Sequence, residues 1–578
     1  MSTPPATAAA SSTQAIPQLG DETTGEDTAA EPTASTEETA AESTAGETTA
    51  AATEKTVPQG GRVKGLMESD INTWDGTDYY AYAWMVDFIT CNTLMGYPST
   101  DDPVKNIELR PELAESYEVS EDGLTYTFTL REGVKFNDGR PVTGEDVKGT
   151  FLRALDPAAA FQVFGTVYYD TIQGVPEYKE GTAKDIPGIA VDGNTVTFTL
   201  TEKNGGFLNA MALGFACIVP ADSPHQKTNL PPAMTGPYMV TEHTQGKSLK
   251  IDRNPEWENN RAAGIPEDPD TNNVDGWDVT IGVPPDSQVL QIKNGQADVS
   301  FDQTCCIGAV ASELAADAET KDRFFPVPSL RISYATFNVN VPPFDKVEVR
   351  QAVNTAVDRE AIVKILGGEL QASPSSGTLP TTMLPDGFDG EVYPSTPDVD
   401  AAKALLEQAG VKTPVDAGTL YYPEAGVNAD IAQQITSDLK EIGIDMNTKG
   451  LNTDNYYQFI QNPENKDAIA IAAWEADYPD GITYFEPLLV SGAADGGSNY
   501  GDFKDPELDA EVQRINEMTP GPERRQAWAE LSTSLARDKA PWIVFLTRNN
   551  LNLTSEKLGG YHYDSVKTFY LARAYLNP

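Results

Sequence analysis

Hydrophobic and polar residues alternate in two neighbouring stretches of the chain, and each stretch is interrupted by a short turn that contains glycine. The alternating segments are residues 117–120, 125–130, 189–191 and 195–200, and the turns are residues 121–123 and 192–194. Alternation with a period of two indicates strands, and Asp-Gly turns are typical of β-hairpins. The pattern therefore predicts one small β-rich unit between about Ile107 and Leu200.

The later half of the chain alternates helical and strand patterns. Apolar residues recur at helical spacing from Asn428 to Ile442, Gly443 ends that helix, and a strand resumes at Ile444. Further amphipathic helices are predicted over residues 349–366 and 401–410, and Arg350 and Asp358 are expected to form a pair on a helix surface. This alternation is typical of an α/β fold, and no internal repeat indicates a solenoid or a propeller.

The first sixty residues have a different composition from the rest. Residues 1–60 are almost entirely Ala, Thr, Ser, Glu, Asp, Gly and Pro, with no aromatic residue. Because such a segment cannot bury a core, we predict a disordered acidic stretch. Two interpretations stay open, a featureless tail and a stalk that carries the folded part through a cell wall.

Charge and hydropathy exclude two classes of partner. The chain has 41 basic and 87 acidic side chains, a net charge of -46, which repels phosphate backbones and makes nucleic acid a poor partner. No apolar run reaches the roughly 20 residues that cross a bilayer, and the first residues lack the basic and apolar regions of a signal peptide. We therefore expect no direct membrane span.

Motifs for catalysis and metal binding are incomplete. The three histidines, His225, His243 and His562, lack the spacing of a helical zinc site. A P-loop ending in residues 246–248 would need glycine where Thr241 stands, and a calcium loop starting at Asp268 would need glutamate where Val279 stands. We expect no catalytic residues, no metal and no cofactor, and hence no enzyme.

Four cysteines are too few for a disulfide scaffold. The adjacent residues Cys305 and Cys306 are open to three interpretations: a strained disulfide with each other, two free thiols, or one partner each for Cys91 and Cys217. No neighbouring histidine or basic cluster would lower a thiol pKa, so a structural role or none is favoured.

From Leu109 onward the chain resembles the extracellular solute-binding protein family 5, the group that includes the dipeptide and oligopeptide receptors of ABC importers. The resemblance is carried by ordered motifs at residues 109–117, 130–139, 143–150, 235–238, 253–257, 295–298, 337–338, 349–352, 356–359, 474–480 and 540–542. These motifs span nearly the whole chain after Gly61.

The resemblance implies an α/β fold of the two-lobed periplasmic-binding-protein type II class (cluster C), with an extra β-rich subdomain in the first lobe. The implied division is a stalk over 1–60, the first lobe over 61–106 and 201–330 with the β-rich insertion at 107–200, the second lobe over 331–540, and a return to the first lobe over 541–578. In this family the ligand lies between the lobes and is enclosed as they close.

The resemblance also implies a candidate ligand site. We expect ligand contacts from Trp474, Glu475, Asp477 and Tyr478, which end the apolar segment 468–474, and from Tyr79 and Tyr80 in the aromatic run 74–84. The acidic residue of peptide-binding relatives that matches Asp477 meets the α-ammonium group of the ligand. Arg331, which precedes another apolar strand of the second lobe, is expected to pair with Glu475.

The implied function is a substrate-binding receptor of an ABC importer, which delivers di- or oligopeptides to a membrane permease driven by a separate ATPase. We expect a monomer at the extracellular face of the cell membrane or cell wall, held by a lipid anchor, although no lipobox cysteine precedes the acidic segment. The alternatives are the same role for an oligosaccharide, a nickel chelate, glutathione or an opine, a secreted hydrolase, and a surface adhesion module.

Overall fold

The computed structural model describes the chain from Val57 onward, with short gaps. The described residues are 57–71, 74, 82–100, 102, 105–157, 168–224, 230–268, 270–302, 305–462, 465, 468–494, 497–564 and 568–578. The predicted disordered stretch therefore lies outside the described residues up to position 56, and Tyr79 and Tyr80 lie outside them as well. Gln59 and Gly60 both bind Asn273: the Gln59 side-chain amide donates to its Oδ1 at 2.8 Å, and the Gly60 amide donates to its carbonyl at 2.7 Å.

The strands, in chain order, are β1 (Arg62–Met67), β2 (Met95–Gly96), β3 (Arg110–Pro111), β4 (Ala114–Val119), β5 (Thr125–Leu130), β6 (Ile189–Asp192), β7 (Thr195–Thr199), β8 (Tyr238–Thr244), β9 (Ser248–Arg253), β10 (Gly276–Ile281), β11 (Val299–Ser300), β12 (Phe324–Thr336), β13 (Ala372–Pro374), β14 (Val415–Pro423), β15 (Ile444–Leu451), β16 (Ala468–Glu475), β17 (Trp542–Leu553), β18 (Leu558–Gly559), β19 (Tyr563–Asp564), β20 (Thr568–Phe569) and β21 (Tyr575–Leu576).

The α-helices are α1 (Tyr82–Thr90), α2 (Gly144–Ala154), α3 (Val175–Lys179), α4 (Phe207–Ala210), α5 (Trp257–Ala262), α6 (Pro285–Lys293), α7 (Gly308–Ala316), α8 (Val347–Ala356), α9 (Arg359–Leu366), α10 (Val399–Gln408), α11 (Asn428–Glu441), α12 (Thr453–Gln461), α13 (Ile482–Leu488), α14 (Pro506–Asn516) and α15 (Pro522–Asp538). Within the described residues, none of them combines the length and the apolar character that a membrane crossing requires.

The two predicted hairpins form one four-stranded antiparallel sheet with the order β4-β5-β7-β6. Tyr126, Phe128 and Leu130 of β5 point inward and are buried, and the residues between them are more exposed. This alternation is what a sheet with one covered face requires. The predicted β-rich unit is therefore present.

Two larger sheets carry the helices. A five-stranded sheet has the order β11-β1-β10-β9-β8, and a six-stranded sheet has the order β13-β17-β12-β16-β14-β15. The apolar faces of α8, α9 and α11 pack on the six-stranded sheet, where Val353, Ile362 and Ile435 are fully buried. The predicted α/β alternation is confirmed.

One predicted helix is two helices in the structure. The apolar pattern over residues 349–366 continues through a break at Val357 and Asp358, where the Asp358 side chain accepts a hydrogen bond from the Ala361 amide and caps α9. The expected surface pair between Arg350 and Asp358 is wrong, because the Arg350 guanidinium is buried and donates to the carbonyls of Phe344, Lys539 and Ala540. The periodicity could not reveal a cap inside an apolar run.

Candidate functional site

The site is built where β12 and β17 pass from one hydrophobic core to another. At one end of this strand pair, Phe324, Leu551 and Leu553 pack in a core with α6 and α7. At the other end, Ala335 and Phe545 pack in the core under α8, α9 and α11. The pairing of the two strands is irregular between Pro328 and Ile332. The two strands therefore connect separate parts of the fold.

The end of β16 and the loop that follows it carry four of the predicted site residues: Trp474, Glu475, Asp477 and Tyr478. The Trp474 ring nitrogen donates to the Thr483 carbonyl at 2.7 Å, which closes the loop on itself. Asp480 turns inward, and its carboxylate receives two hydrogen bonds from Arg524, from Nε at 2.7 Å and from a terminal nitrogen at 2.8 Å. The loop is thus fixed at both ends.

Arg524 anchors this loop to α14 and α15. Its guanidinium also donates to the carbonyls of Ile515, Asn516 and Met518, and it lies 5.5 Å from the ring centre of Trp528. A buried guanidinium needs most of its donors satisfied, and here they are. The apex of the loop, with Asp477, is consequently held on a rigid base.

Asp477 is half-buried on that base and contacts a residue from a distant part of the chain. One of its carboxylate oxygens accepts a hydrogen bond from the Tyr168 hydroxyl. The Tyr168 ring stacks on Phe215 and meets Tyr478 edge-on, with centroid distances of 6.5 Å and 5.7 Å. Tyr168 precedes the hairpin of β6 and β7, so this contact joins the β-rich side to the loop after β16.

Tyr478 and Glu475 do not share the surroundings of Asp477: Tyr478 lies in a core, and Glu475 lies in a strand pair. Tyr478 is 4% exposed and belongs to the core beneath the loop, where burial raises the pKa of its hydroxyl well above the usual value. Glu475 stands directly opposite Arg331 in the pairing of β16 with β12. The register is the one that the predicted Arg331–Glu475 pair requires, yet Arg331 Nε is buried without a hydrogen-bond partner.

Two residues of this region belong to no sequence pattern that would identify them as part of a site. Tyr168 lies in no motif that points to a site. Arg548 is a single charge in the apolar strand β17, and it follows Thr547, which pairs with Ile332, the residue next to Arg331. Both are brought to the site by contacts between distant parts of the chain, which a local pattern does not encode.

The described residues contain no group of three or more histidine, cysteine or acidic side chains arranged to hold a metal ion. Cys91 and Cys217 form a disulfide, and Cys305 and Cys306 are buried free thiols. This settles the open question of the cysteines: the adjacent pair is neither bonded to itself nor shared with the other two.

A separate cavity lies beside the end of α1 and contains none of the predicted ligand residues. Its lining includes Asp87, Asn92, Arg110, Asp268 and Trp257. The Arg110–Asp268 ion pair, at 2.8 Å, spans part of it. We take the loop after β16 as the candidate site, since it combines the half-buried carboxylate of Asp477 with a contact to the distant residue Tyr168.

Comparison with known proteins gives one family. The model described as "Bacterial extracellular solute-binding proteins, family 5 Middle" matches residues 108–496. Di/tripeptide-binding protein 4 of Pseudomonas aeruginosa is 27% identical over 496 residues, covering 82% of this chain and 87% of that protein. Heme-binding protein A of Haemophilus influenzae is 27% identical over 478 residues, covering 78% and 82%. The dipeptide-binding protein of Escherichia coli is 26% identical over 484 residues, covering 79% and 84%.

Solved structures show the same fold. The clavulanic acid biosynthesis oligopeptide binding protein 2 superimposes with a TM-score of 0.79 at 24% identity, covering 90% of this chain and 96% of that one. The periplasmic murein tripeptide binding protein MppA, in its unliganded open form, gives a TM-score of 0.73 at 20% identity, covering 90% and 98%. The two-lobed type II fold with a β-rich subdomain is confirmed.

Proposed function

Because the chain belongs to the bacterial extracellular solute-binding proteins of family 5, we propose that it captures short peptides between its lobes and delivers them to an ABC permease. The family is a class of receptors that bind solutes. Peptide is the favoured ligand since several relatives are named for di- and tripeptides. The proposal extends to a non-catalytic role, to a monomer, and to a lipid-anchored position outside the cell membrane.

The observation that carries the peptide proposal is the placement of Asp477. Its half-buried carboxylate lies on a braced loop and accepts a hydrogen bond from the Tyr168 hydroxyl of the β-rich side. A carboxylate offers about four acceptor positions, so it accepts an ammonium donor in addition to Tyr168. A free peptide amino terminus placed in a closed cleft requires such a partner, because an unpaired buried charge costs several kcal/mol.

Closure follows from the same contacts. A ligand that touches both the loop after β16 and the Tyr168 side binds the closed form more tightly than the open form, and only this difference shifts the population. The strands β12 and β17 connect the two sides, which makes them the natural place for the bend. Release to a permease then requires that the closed state be reopened by contact with that partner.

The test is to identify what the purified protein carries. Protein isolated without denaturation would be unfolded, and the released small molecules would be analysed by liquid chromatography and mass spectrometry. We expect peptides of a few residues with free amino termini. A saccharide, a heme or a metal chelate at one equivalent would overturn the peptide ligand and leave the receptor role in place.

A further inference from the structure

The cavity beside the end of α1 is lined by polar side chains that the fold leaves without partners. Its volume is about 60 Å³, and a buried water needs roughly 10–15 Å³ of such space. The cavity therefore has room for a small ion with a few waters and is too small for a peptide. Five lining residues have a buried polar atom with no hydrogen-bond partner among the described residues: Asp87, Asn92, Arg110, Trp257 and Asn272.

Asp87 is the residue of this cavity that most strongly indicates a ligand. It is 3% exposed, and neither of its carboxylate oxygens has a partner in the part of the chain that the structure describes. Because an ionised carboxyl is unfavourable in such a place, burial raises the pKa of Asp87 well above its usual value. Burial alone thus favours the protonated acid, whereas a cation beside the carboxyl favours the ionised form.

Two amide oxygens add to the acceptors of Asp87. Asn92 and Asn272 are 5% and 7% exposed, and the Oδ1 atom of each is buried without a partner among the described residues. The Asn272 side chain has a fixed orientation, because its Nδ2 donates to Glu267 Oε1 at 2.9 Å. Two oxygens of Asp87 and one of each asparagine give the cavity four acceptor atoms without a donor.

The charges around the cavity favour a positive ligand. Its lining carries four carboxylates and one guanidinium, those of Asp87, Glu112, Glu267, Asp268 and Arg110. Arg110 pairs with Asp268 at 2.8 Å, and Arg261, which is not part of the lining, pairs with Glu267 at 3.1 Å. Neither Asp87 nor Glu112 forms an ion pair within the described ranges. The lining therefore has more negative than positive charge.

We propose that this cavity binds a small monovalent cation, of the size of ammonium or potassium, through Asp87, Asn92 and Asn272. Carboxylate and amide oxygens accept N–H donors and also coordinate hard cations directly. Waters that accompany the ion would accept from Trp257 Nε1 and Arg110 Nε. A divalent metal is disfavoured, since the described residues contain no group of three histidine, cysteine or acidic side chains arranged for one.

The proposed cation site is separate from the peptide site. Its lining comes from α1, β2, β3, α5 and the segment 266–272, and it includes no residue of the loop after β16. A cation bound there would link α1 to β3, which leads into the β-rich unit. The expected effect is therefore on the stability of the folded protein, and it does not depend on the identity of the peptide ligand.

Thermal unfolding at pH 8 in different chloride salts tests the site. Ammonium, methylammonium and potassium chloride would each be compared with tetramethylammonium chloride at the same concentration, since that cation is larger and has no N–H donor. A ligand that binds only the folded form raises the unfolding midpoint with its concentration, which gives a Kd. At least one of the three small cations should raise the midpoint of the wild type above its value in tetramethylammonium chloride.

Three variants locate the effect. In Asp87→Asn, which keeps the size of the side chain and removes its charge, the Kd should be at least about tenfold weaker. In Asn92→Ala, which removes one amide acceptor, it should be at least about threefold weaker. The control Asp445→Asn, at an exposed position, should match the wild type.

The pattern of responses identifies the cation. Stabilisation by potassium indicates a bare ion, and stabilisation by ammonium or methylammonium without potassium indicates a cation that needs N–H donors; either result supports the site if the variants respond as stated. A response of equal size in the wild type, Asp87→Asn and Asn92→Ala would be a general salt effect and would overturn the proposal. No response of the wild type to any of the three salts would assign the cavity to water and overturn it as well.

Discussion

At the scale of single residues, Asp477 and Asp480 are three positions apart and differ in what they face. Asp480 is buried and committed to Arg524, whereas Asp477 is half-buried and accepts from Tyr168. Asp480 therefore holds the loop, and Asp477 keeps part of its surface accessible beside Tyr168. The two aspartates thus have different surroundings, and only the fold distinguishes them.

For Asp477→Asn we predict a loss of peptide binding without a loss of folding. Removing one partner of a desolvated charge pair costs about 2–5 kcal/mol of binding, or tens to thousands of fold in affinity. Calorimetry with one tripeptide, free and N-acetylated, measures this. The variant should bind both forms weakly, and the exposed control Asp445→Asn should match the wild type. Unchanged affinity of Asp477→Asn for the free tripeptide would show that Asp477 does not bind the ammonium group.

The burial of Asp87, in the last turn of α1, leads us to predict a pH dependence of stability. Both of its carboxylate oxygens are buried without a partner, and desolvation raises the pKa of Asp87 well above its usual value. The folded form holds the proton of Asp87 more tightly than the unfolded chain does, and the carboxyl pKa of the unfolded chain is about 3.9. The stabilisation that comes from this proton is therefore complete when the pH is below about 3.9. It declines as the pH rises towards the folded pKa.

Asp87→Asn should therefore gain stability relative to the wild type as the pH rises. Urea unfolding at pH 5 and pH 8 would show this as a shift in the difference between the two midpoints. The same difference at both pH values would mean that the Asp87 carboxyl does not change its protonation on folding.

At the scale of elements, Arg524 joins the site loop to α14 and α15. Breaking a buried ion pair by removing one partner costs about 3–5 kcal/mol, so Arg524→Met should lower the free energy of unfolding by about that amount. It should also weaken peptide binding, because the apex of the loop loses its base. The control Arg514→Met, whose partner is exposed Glu511, should change stability by less than about 1 kcal/mol. Equal effects would contradict the assigned role of Arg524.

The elements themselves were largely predictable. Periods of two and of 3.6 residues located the hairpins β4–β5 and β6–β7 and the helix α11, because each of these covers one apolar face. The break between α8 and α9 was missed, since an aspartate cap leaves the apolar spacing intact. Tyr168 was missed for another reason: its importance depends on its contact with Asp477, which lies 309 residues further along the chain.

At the scale of the whole molecule, the side that carries the β-rich unit already touches the side that carries the loop after β16. The Gly205 amide donates to the Asn516 carbonyl at 2.8 Å, and the contact of Tyr168 with Asp477 joins the same two sides. A peptide that binds both sides should shift the population towards this arrangement. We predict that the radius of gyration from solution scattering falls when Ala-Ala-Ala is added to ligand-stripped protein. Tight binding with an unchanged radius would mean that the lobes do not move on binding.

The central claim is that this chain is a receptor for short peptides, and a direct titration tests it. Ligand-stripped wild-type protein would be titrated with Ala-Ala-Ala in a calorimeter, with the N-acetylated tripeptide as the comparison. The account predicts saturable binding at one peptide per protein, at least about thirtyfold weaker for the acetylated form. Absence of binding by any free di- or tripeptide, with saturable binding of a sugar, a heme or a chelate, would contradict it.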